Sequence, residues 1–188
     1  MNDATAILGL IDELDRLGKQ RDDAWQVPRV EGELLHHIAL ASGATTIVEV
    51  GTSYGFSGLF WAMALRQTGG RLHTIDRDPK KYEASRENFA RAGVADLVTS
   101  YLGEAGEVLR NMPGPIDLAF IDADKPGCQT YFDLLWPNVR PGGAVITDNA
   151  TTHKEQLASY VQSIRSRPDA RSTEVAVGNG IEWTIKLR

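Results

Sequence analysis

Cysteine and long apolar runs are scarce in this sequence, and each scarcity excludes a class of protein. Cys128 is the only cysteine, so an intrachain disulfide cannot form and the reducing cytoplasm is the expected compartment. No apolar run is long enough to cross a membrane. Residues 1–20 carry acidic side chains among their apolar ones and lack the basic start of a signal peptide. We therefore expect a protein that neither enters a membrane nor is secreted.

Basic residues are also fewer than acidic ones. The chain has 20 Lys and Arg residues against 25 Asp and Glu residues, which gives a formal net charge of −5, and it contains no long basic run. A long nucleic acid backbone is therefore not an expected partner. The length of 188 residues and the hydrophobic content of 42% favour a single domain, residues 1–188, with a substantial core.

The sequence does contain a regular alternation of apolar strands and amphipathic helices. Helices are predicted over residues 5–18 and 28–41, so that residues 1–41 form an N-terminal helical segment. Five strands follow, with helices between them, at residues 45–50, 71–76, 96–102, 115–122 and 142–148. This alternation predicts an α/β fold with a mostly parallel, doubly wound sheet.

The C-terminal part of the chain breaks the alternation. A helix is predicted over residues 153–165, and residues 173–187 have the pattern of two strands around Gly178-Asn179-Gly180. Alternating apolar residues on both sides of such a turn are typical of a β-hairpin. A dinucleotide-binding fold has no need of an antiparallel hairpin at its end, whereas the Rossmann-like class I methyltransferase fold ends in one.

The segment VEVGTSYGFSG, residues 48–58, allows more than one interpretation. Its G-x-S-x-G pattern is that of a serine hydrolase, with Ser53 as the nucleophile and His153 far enough downstream to serve as the base. A dinucleotide fingerprint would need glycines where Ser53 and Phe56 stand. The pattern E-x-G-x-x-x-G, with Glu49, Gly51 and Gly55, instead suits a loop around the methionine and ribose parts of S-adenosylmethionine. A turn that binds no ligand is the remaining interpretation.

Acidic residues follow three of the predicted strands. Asp76 ends the second strand about twenty residues after the glycine loop, where a carboxylate can accept hydrogen bonds from both ribose hydroxyls. Strand four ends in IDADK and strand five in TDN, which places Asp122, Asp148 and Asn149 at facing strand ends. Two carboxylates and an amide oxygen suit Mg²⁺ or another divalent cation such as Mn²⁺ or Ca²⁺. Lys125 lies three positions after the first aspartate.

Together, VEVGTSYGFS, TIDRDP, FIDADK, PGGAVITDN and VGNGI resemble the metal-dependent O-methyltransferases of the catechol and caffeoyl-coenzyme A type, from about Trp25 onward. The resemblance implies a metal site at Asp122, Asp148 and Asn149, with Lys125 as the general base. It also implies a set of residues that bind the cofactor S-adenosylmethionine: Val27, Glu49, Gly51, Thr52, Ser57, Asp76, Ala105 and Asp124.

The chain departs from the plant members of this family after Asn149, where Ala150-Thr151-Thr152 leads almost directly into a helix and no long covering insertion follows. The acceptor site is therefore open or is completed by a second subunit of a homodimer. We expect a cytoplasmic enzyme that methylates a hydroxyl of a small, catechol-like aromatic held by a divalent metal. The alternatives are a non-catalytic module that binds S-adenosylmethionine and a serine hydrolase that uses Ser53.

Overall fold

The computed structural model describes residues 3–187; residues 1–2 and 188, the ends of the expected 1–188 domain, lie outside the described residues. The described chain contains seven strands: β1 (Thr46–Val50), β2 (Arg71–Asp76), β3 (Val98–Leu102), β4 (Ile116–Ile121), β5 (Val139–Thr147), β6 (Ala170–Val175) and β7 (Ile181–Lys186). They form one sheet in the order β3-β2-β1-β4-β5-β7-β6. The strands β1 to β5 pair in parallel, and β7 is antiparallel to both β5 and β6. The predicted parallel sheet with a terminal hairpin is confirmed.

Helices alternate with these strands as predicted. They are α1 (Asp3–Gly18), α2 (Arg29–Ser42), α3 (Phe56–Thr68), α4 (Pro79–Arg91), α5 (Ala105–Leu109), α6 (Cys128–Leu135) and α7 (Lys154–Arg165). Along residues 3–187, no helix combines the length and the apolarity that crossing a bilayer requires.

The sheet is covered on both faces, because successive strand residues point to opposite sides. In β1, Ile47 packs into a core cluster with residues of α1 to α4, including the buried Trp61. The next residue, Val48, packs into a second cluster with residues of α5 to α7, including the buried Phe132. A strand that is buried on both sides explains why β1 is rich in β-branched residues.

Helix α1 joins the first of these clusters through the apolar face that the sequence predicts. Ile7, Leu10, Ile11 and Leu14 are buried, whereas Leu17 at the end of the helix is 40% exposed. Burial of each of the four side chains stabilises the fold by about 1.5–3 kcal/mol. The contact of α1 with α3 thereby fixes the N-terminal segment beside the glycine loop.

Several element boundaries differ from the predicted ones by a few residues. Helix α2 begins after Pro28, whose φ of −58° and ψ of 146° place it just outside the helix. The third strand begins at Val98, because Ala95–Leu97 forms a 3₁₀ turn. Strand β5 begins at Val139, earlier than predicted, and its register against β4 is irregular near its start.

The N-cap of α4 is Asp78. Its side chain accepts hydrogen bonds from the backbone N–H groups of Lys80 and Lys81, and Pro79 occupies the first helical position. This cap satisfies donors that would otherwise lack partners at the start of the helix. It also fixes the turn that directly follows Asp76 at the end of β2.

The turn of the terminal hairpin reaches back to the centre of the sheet. Gly178 and Gly180 adopt φ values of +62° and +80°, which glycine tolerates best. The carbonyl of Gly180 accepts a hydrogen bond of 2.7 Å from the N–H of Ala150, and that of Asn179 accepts one of 3.2 Å from Thr151. The hairpin turn is therefore held against the loop that follows β5.

Candidate active site

The site begins with the glycine loop that follows β1. Gly51 and Gly55 have φ values of +101° and +85°, in the region that favours glycine. A Cβ on Gly51 would overlap the backbone carbonyl oxygen of Asp122. Glycine at this position therefore lets the loop close onto the end of β4, which brings the loop and Asp122 to the same edge of the sheet.

A cavity of about 610 Å³ opens at this edge, at the carboxyl ends of the parallel strands. Such a crevice is where open α/β sheets bind ligands. Seven of the residues predicted from the sequence line it: Gly51, Asp76, Ala105, Asp122, Asp124, Lys125 and Asn149.

The other five predicted residues lie behind the wall of the cavity. Each is at most 6% exposed and does not line the cavity: Val27, Glu49, Thr52, Ser57 and Asp148. In this conformation they support the wall instead of facing the open space.

Glu49 shows how this support works. Its carboxylate accepts hydrogen bonds from Ser57 Oγ at 2.7 Å, Trp61 Nε1 at 3.1 Å and Thr74 Oγ1 at 2.6 Å. Burial raises the pKa of Glu49 to about 7, although these three hydrogen bonds oppose the shift. The carboxyl thus ties β1 to α3 and β2 directly beneath the glycine loop.

Asp76 presents its carboxylate to the cavity from the end of β2. Its two oxygens accept hydrogen bonds from the N–H of Ser53 at 2.7 Å and the N–H of Asp78 at 2.9 Å. Each carboxylate oxygen can accept more than one hydrogen bond. The backbone therefore orients Asp76 and leaves acceptor capacity on the side of the cavity.

Asp124 is held by partners that the sequence did not indicate. Its Oδ1 accepts a hydrogen bond of 2.8 Å from the hydroxyl of Tyr131, and its Oδ2 accepts one of 3.1 Å from the N–H of Gly127. Tyr131 also lines the cavity, beside Ala105 at the start of α5. A lone tyrosine on an amphipathic helix resembles ordinary packing, so no sequence signal distinguished it.

The predicted metal ligands lie at adjacent strand ends. Ile121 pairs with Thr147, and the N–H of Asp148 donates to the carbonyl of Ile121, so Asp122 and Asp148 follow on neighbouring strands. Asn149 adopts a φ of +67°, which turns the chain sharply after Asp148. The structure therefore brings the three residues together, with Asp122 and Asn149 at the cavity surface and Asp148 beneath it.

Lys125 lines the cavity beside the predicted metal ligands. Its Nζ donates to the carbonyl of Ala123 at 2.9 Å and lies 3.9 Å from Asp122 Oδ1. The side chains of Lys125 and Asp122 are 12% and 15% exposed. The lysine is thus held close to the predicted metal ligands, largely screened from solvent.

Electrostatics at these strand ends favour a bound cation. Burial and the charge of Asp148 raise the pKa of Asp122, and Lys125 opposes that shift. Burial, together with Asp148, also raises the pKa of Glu31, to about 9. Carboxyl groups this close in a buried site repel one another when ionised, and a divalent cation would relieve the repulsion. The donor set therefore fits a hard cation.

The proposed cation site consists of two carboxylates and one amide. Within the described part of the chain, no group of three or more His, Cys, Asp or Glu residues is arranged to hold a metal ion. Asp122 and Asp148, with the Asn149 amide, form a smaller set that leaves coordination positions for water and acceptor oxygens.

Glu31 was not identified from the sequence, although a signal was present. It lies four and seven positions before Leu35 and Ile38, on the buried face of α2, and is itself fully buried. A charged residue on the apolar face of a helix is uncommon unless it is paired or functional. The helical period thus marks Glu31 as unusual but does not identify its neighbours.

The contacts of Ser53 differ from those of a hydrolase nucleophile. It has a φ of +46°, as a strained turn requires, but its hydroxyl donates to the carbonyl of Ala24 at 2.5 Å. Among the described residues, the side-chain hydrogen bond of His153 joins its Nδ1 to the hydroxyl of Thr152. The nucleophile-to-base contact of a serine hydrolase is therefore not formed within residues 3–187.

Comparisons with known proteins agree with this geometry. A family model described as a methyltransferase domain matches residues 48–150, more than half of the chain. The chain is 34% identical to a catechol O-methyltransferase of Niastella koreensis, over 84% of this chain and 67% of the relative. It is 37% identical to a catechol O-methyltransferase of Mycobacterium tuberculosis, over 68% of this chain and 60% of the relative.

A solved structure extends the likeness over nearly the whole fold. The O-methyltransferase TomG of Streptomyces achromogenes, solved in complex with S-adenosylmethionine (SAM), superposes with a TM-score of 0.85 at 27% identity. The match covers 95% of this chain and 90% of that one. With its parallel sheet, its terminal hairpin and the cavity at the strand ends, the chain belongs to the class I, SAM-dependent O-methyltransferase family.

Proposed function

We propose that this chain transfers a methyl group from SAM to a hydroxyl of a small, catechol-like acceptor held by a divalent cation, with Lys125 as the general base. One observation carries the proposal. Lys125, Asp122 and Asn149 meet at one end of a cavity whose other end contains Asp76 and Ala105. A methyl donor and an oxygen acceptor bound at these two ends would lie side by side, as direct transfer requires.

The cofactor end would hold SAM through the residues that line it. Asp76 would accept hydrogen bonds from the ribose hydroxyls, because its carboxylate is already oriented by two backbone N–H groups. Ala105 would lie beside the adenine, and Gly51 and Asp124 would lie near the methionine part. SAM itself supplies the methyl group on a sulfonium.

The residues behind the wall are proposed to act through the loop. Thr52 and Ser57 join Glu49 in one buried hydrogen-bond network, since Thr52 contacts Thr74, a donor to Glu49. Val27 is buried beside the loop segment that carries Trp25. Their role in binding the cofactor would be to keep the glycine loop in the shape that fits it.

At the acceptor end, Asp122, Asp148 and Asn149 would hold Mg²⁺ or a similar ion. Such an ion lowers the pKa of a bound hydroxyl and attaches both oxygens of an adjacent pair. Lys125, as the neutral amine, would then take the hydroxyl proton at Nζ, which lies 3.9 Å from Asp122 Oδ1. The walls of the cavity would orient the acceptor.

The acceptor end is proposed to be open. The chain passes from Asn149 to α7 with only four residues between them. Fewer enclosing contacts give less energy with which to separate similar acceptors. We therefore propose broad acceptance of small catechols.

The test is a panel of catechols and matched monophenols, assayed with SAM at fixed Mg²⁺ and again with excess EDTA. Catechols should react much faster than monophenols, because only they form two bonds to the cation. Full activity in EDTA, or equal rates for the two sets, would contradict the metal-held acceptor. SAM binding without turnover of any acceptor would favour the non-catalytic module instead.

Ser53→Ala is the control for the hydrolase alternative. The hydroxyl of Ser53 is committed to the carbonyl of Ala24, so its loss should leave methyl transfer largely intact. Disappearance of all turnover in a folded Ser53→Ala variant would instead favour the hydrolase. The cytoplasm is the proposed compartment, since Cys128, the only cysteine of the chain, is free and buried.

A further inference from the structure

Trp25 is an exposed aromatic residue in a strained backbone position. It is 79% exposed and its φ is +43°, a conformation that is uncommon for a bulky residue. The nearby residues Ala24 and Val27 are each only 2% exposed. These buried neighbours hold the backbone in place and leave the indole outside the core. Strain and exposure are both unfavourable for folding, and an outlier of this kind points to a function.

Trp25 lies at the cofactor end of the cavity, because two connections tie it to Asp76. It lines the cavity. On one side, the hydroxyl of Ser53 donates to the carbonyl of Ala24, and the N–H of Ser53 donates to Asp76. On the other side, the ammonium of Lys81 lies 4.3 Å from the centre of the Trp25 ring. Lys81 belongs to the first turn of α4, just after Asp76. The indole is therefore placed near the carboxylate that is proposed to bind the ribose.

Lys81 is an unusual partner for this indole. It is only 9% exposed, and among residues 3–187 its ammonium forms no ion pair. The ammonium lies instead over the rings of Trp25 and Tyr54, at 4.3 and 5.9 Å from their centres. Lysines that are this buried usually have a carboxylate partner. Because an ammonium is attracted to the face of an aromatic ring, Lys81 holds the Trp25 side chain at the edge of the cavity.

We propose that Trp25 is a further cofactor-binding residue that covers the ribose side of bound SAM, and that Lys81 is a positioning residue that holds the indole in place for this contact. Covering SAM would remove apolar indole surface from water, which favours the bound state. Since SAM would have to pass the indole to leave, the contact should act mainly on the dissociation rate. The inference rests on the proposed cofactor site around Asp76.

Acrylamide quenching of tryptophan fluorescence tests the cover directly. The chain has four tryptophans, of which Trp61 and Trp136 are buried, Trp183 is half-buried and Trp25 is the most exposed. Quenching of the full chain should therefore arise mainly from Trp25. Saturating SAM should lower it toward the weak quenching of the Trp25→Phe variant, in which SAM should have little effect. Unchanged quenching of the wild-type protein in saturating SAM would overturn the proposal.

Stopped-flow measurements of SAM binding test the energetic effect, and thermal unfolding without SAM checks that each variant folds. Trp25→Ala should raise the SAM dissociation rate about tenfold and leave the association rate within about twofold, because the contact forms after SAM has entered. Trp25→Phe keeps an aromatic face and should stay within about threefold of the wild-type dissociation rate. A wild-type dissociation rate in folded Trp25→Ala, or a change confined to the association rate, would contradict the cover.

Lys81→Met tests the positioning role, because methionine keeps much of the apolar length of lysine and removes the ammonium. The variant should raise the SAM dissociation rate by about threefold or more. In the Trp25→Ala background the same substitution should have no further effect. A wild-type rate for Lys81→Met, or an equal effect in both backgrounds, would overturn the positioning role. The matched control is Lys80→Met, which removes an exposed lysine from the same turn and should leave the rate unchanged.

The outcomes distinguish this inference from the proposed function. If the wild-type protein binds SAM and the Trp25 variants behave like it, the cover is wrong and the proposed cofactor site stands. If the wild-type protein does not bind SAM, the proposed cofactor site itself is refuted. If Lys81→Met does not fold, Lys81→Gln, which also lacks the charge but stays polar, replaces it with the same expected result.

Discussion

Replacing Glu49 with glutamine should change how the stability of this protein depends on pH. The pKa of Glu49 is raised by burial to about 7, from an ordinary value near 4.5. The folded state therefore binds this proton more tightly than the unfolded state does. The stabilisation that comes with the protonated carboxyl is fully present below pH 4.5 and is lost as the pH rises through 7.

The magnitude follows from the two pKa values. Their difference corresponds to a contribution of about 3 kcal/mol, most of which is lost between pH ~5 and ~8. Glutamine stays neutral over this range. Its amide oxygen can accept hydrogen bonds from Ser57 and Trp61. Its NH₂ group can donate to the hydroxyl of Thr74 if that hydroxyl donates to Thr52, and the contact between the two threonines permits this direction.

The assay is urea denaturation of the wild type and of Glu49→Gln across this pH range, followed by circular dichroism. The free energy of unfolding of the variant, relative to the wild type, should rise by about 2–3 kcal/mol from pH ~5 to ~8. Comparing the two proteins cancels the other titrating groups. Glu87→Gln, on the exposed side of α4, is the matched control for the loss of a carboxylate. A flat difference for Glu49→Gln would refute the argument from burial.

Three further substitutions test the site. Gly51→Ala should destabilise the fold by about 2 kcal/mol or more, measured by thermal unfolding, because a Cβ would overlap the carbonyl of Asp122 at a φ of +101°; an unchanged Tm would contradict this. Asp76→Asn should raise the Kd for SAM roughly tenfold, through weaker hydrogen bonds to the ribose, as calorimetry can check; equal affinity would remove Asp76 from the cofactor site. Lys125→Ala should lower kcat about 10²-fold and leave the Kd for SAM within a few fold; a variant with full kcat would exclude the lysine as the base.

The sequence predicted the fold well, because its signals are local. The β-branched run of β1, the Asp78-Pro79 start of α4 and the glycine-rich hairpin turn each determine backbone geometry within a few residues. Boundaries were less certain where local rules compete. Ala95–Leu97 forms a 3₁₀ turn that leads directly into β3, and the pairing of Val98 with Leu72 of β2 marks the start of the strand.

The site was predictable only in part, since it depends on contacts between distant segments. The motifs located Asp76, Asp122 and Lys125, because each follows a strand whose end must lie at the crevice. They did not reveal which side chains face the cavity and which lie behind it. Glu49 and Asp148 are adjacent to lining residues, yet alternation along the strand directs them into the interior.

The backbone N–H of Asn179, in the hairpin turn, donates a hydrogen bond to Glu31 Oε2 on α2, and these two residues lie 148 positions apart in the chain. Since a chain is synthesised from its N-terminus, α2 leaves the ribosome long before the hairpin turn exists. The surroundings of Asp148 therefore cannot be completed until the hairpin turn that contains Asn179 is in place. An ion that binds only the finished site would stabilise the folded state by mass action, by about 2.7 kcal/mol at a concentration 100 times its Kd. The proposed catalytic ion would thus also stabilise the contacts between segments from opposite ends of the chain.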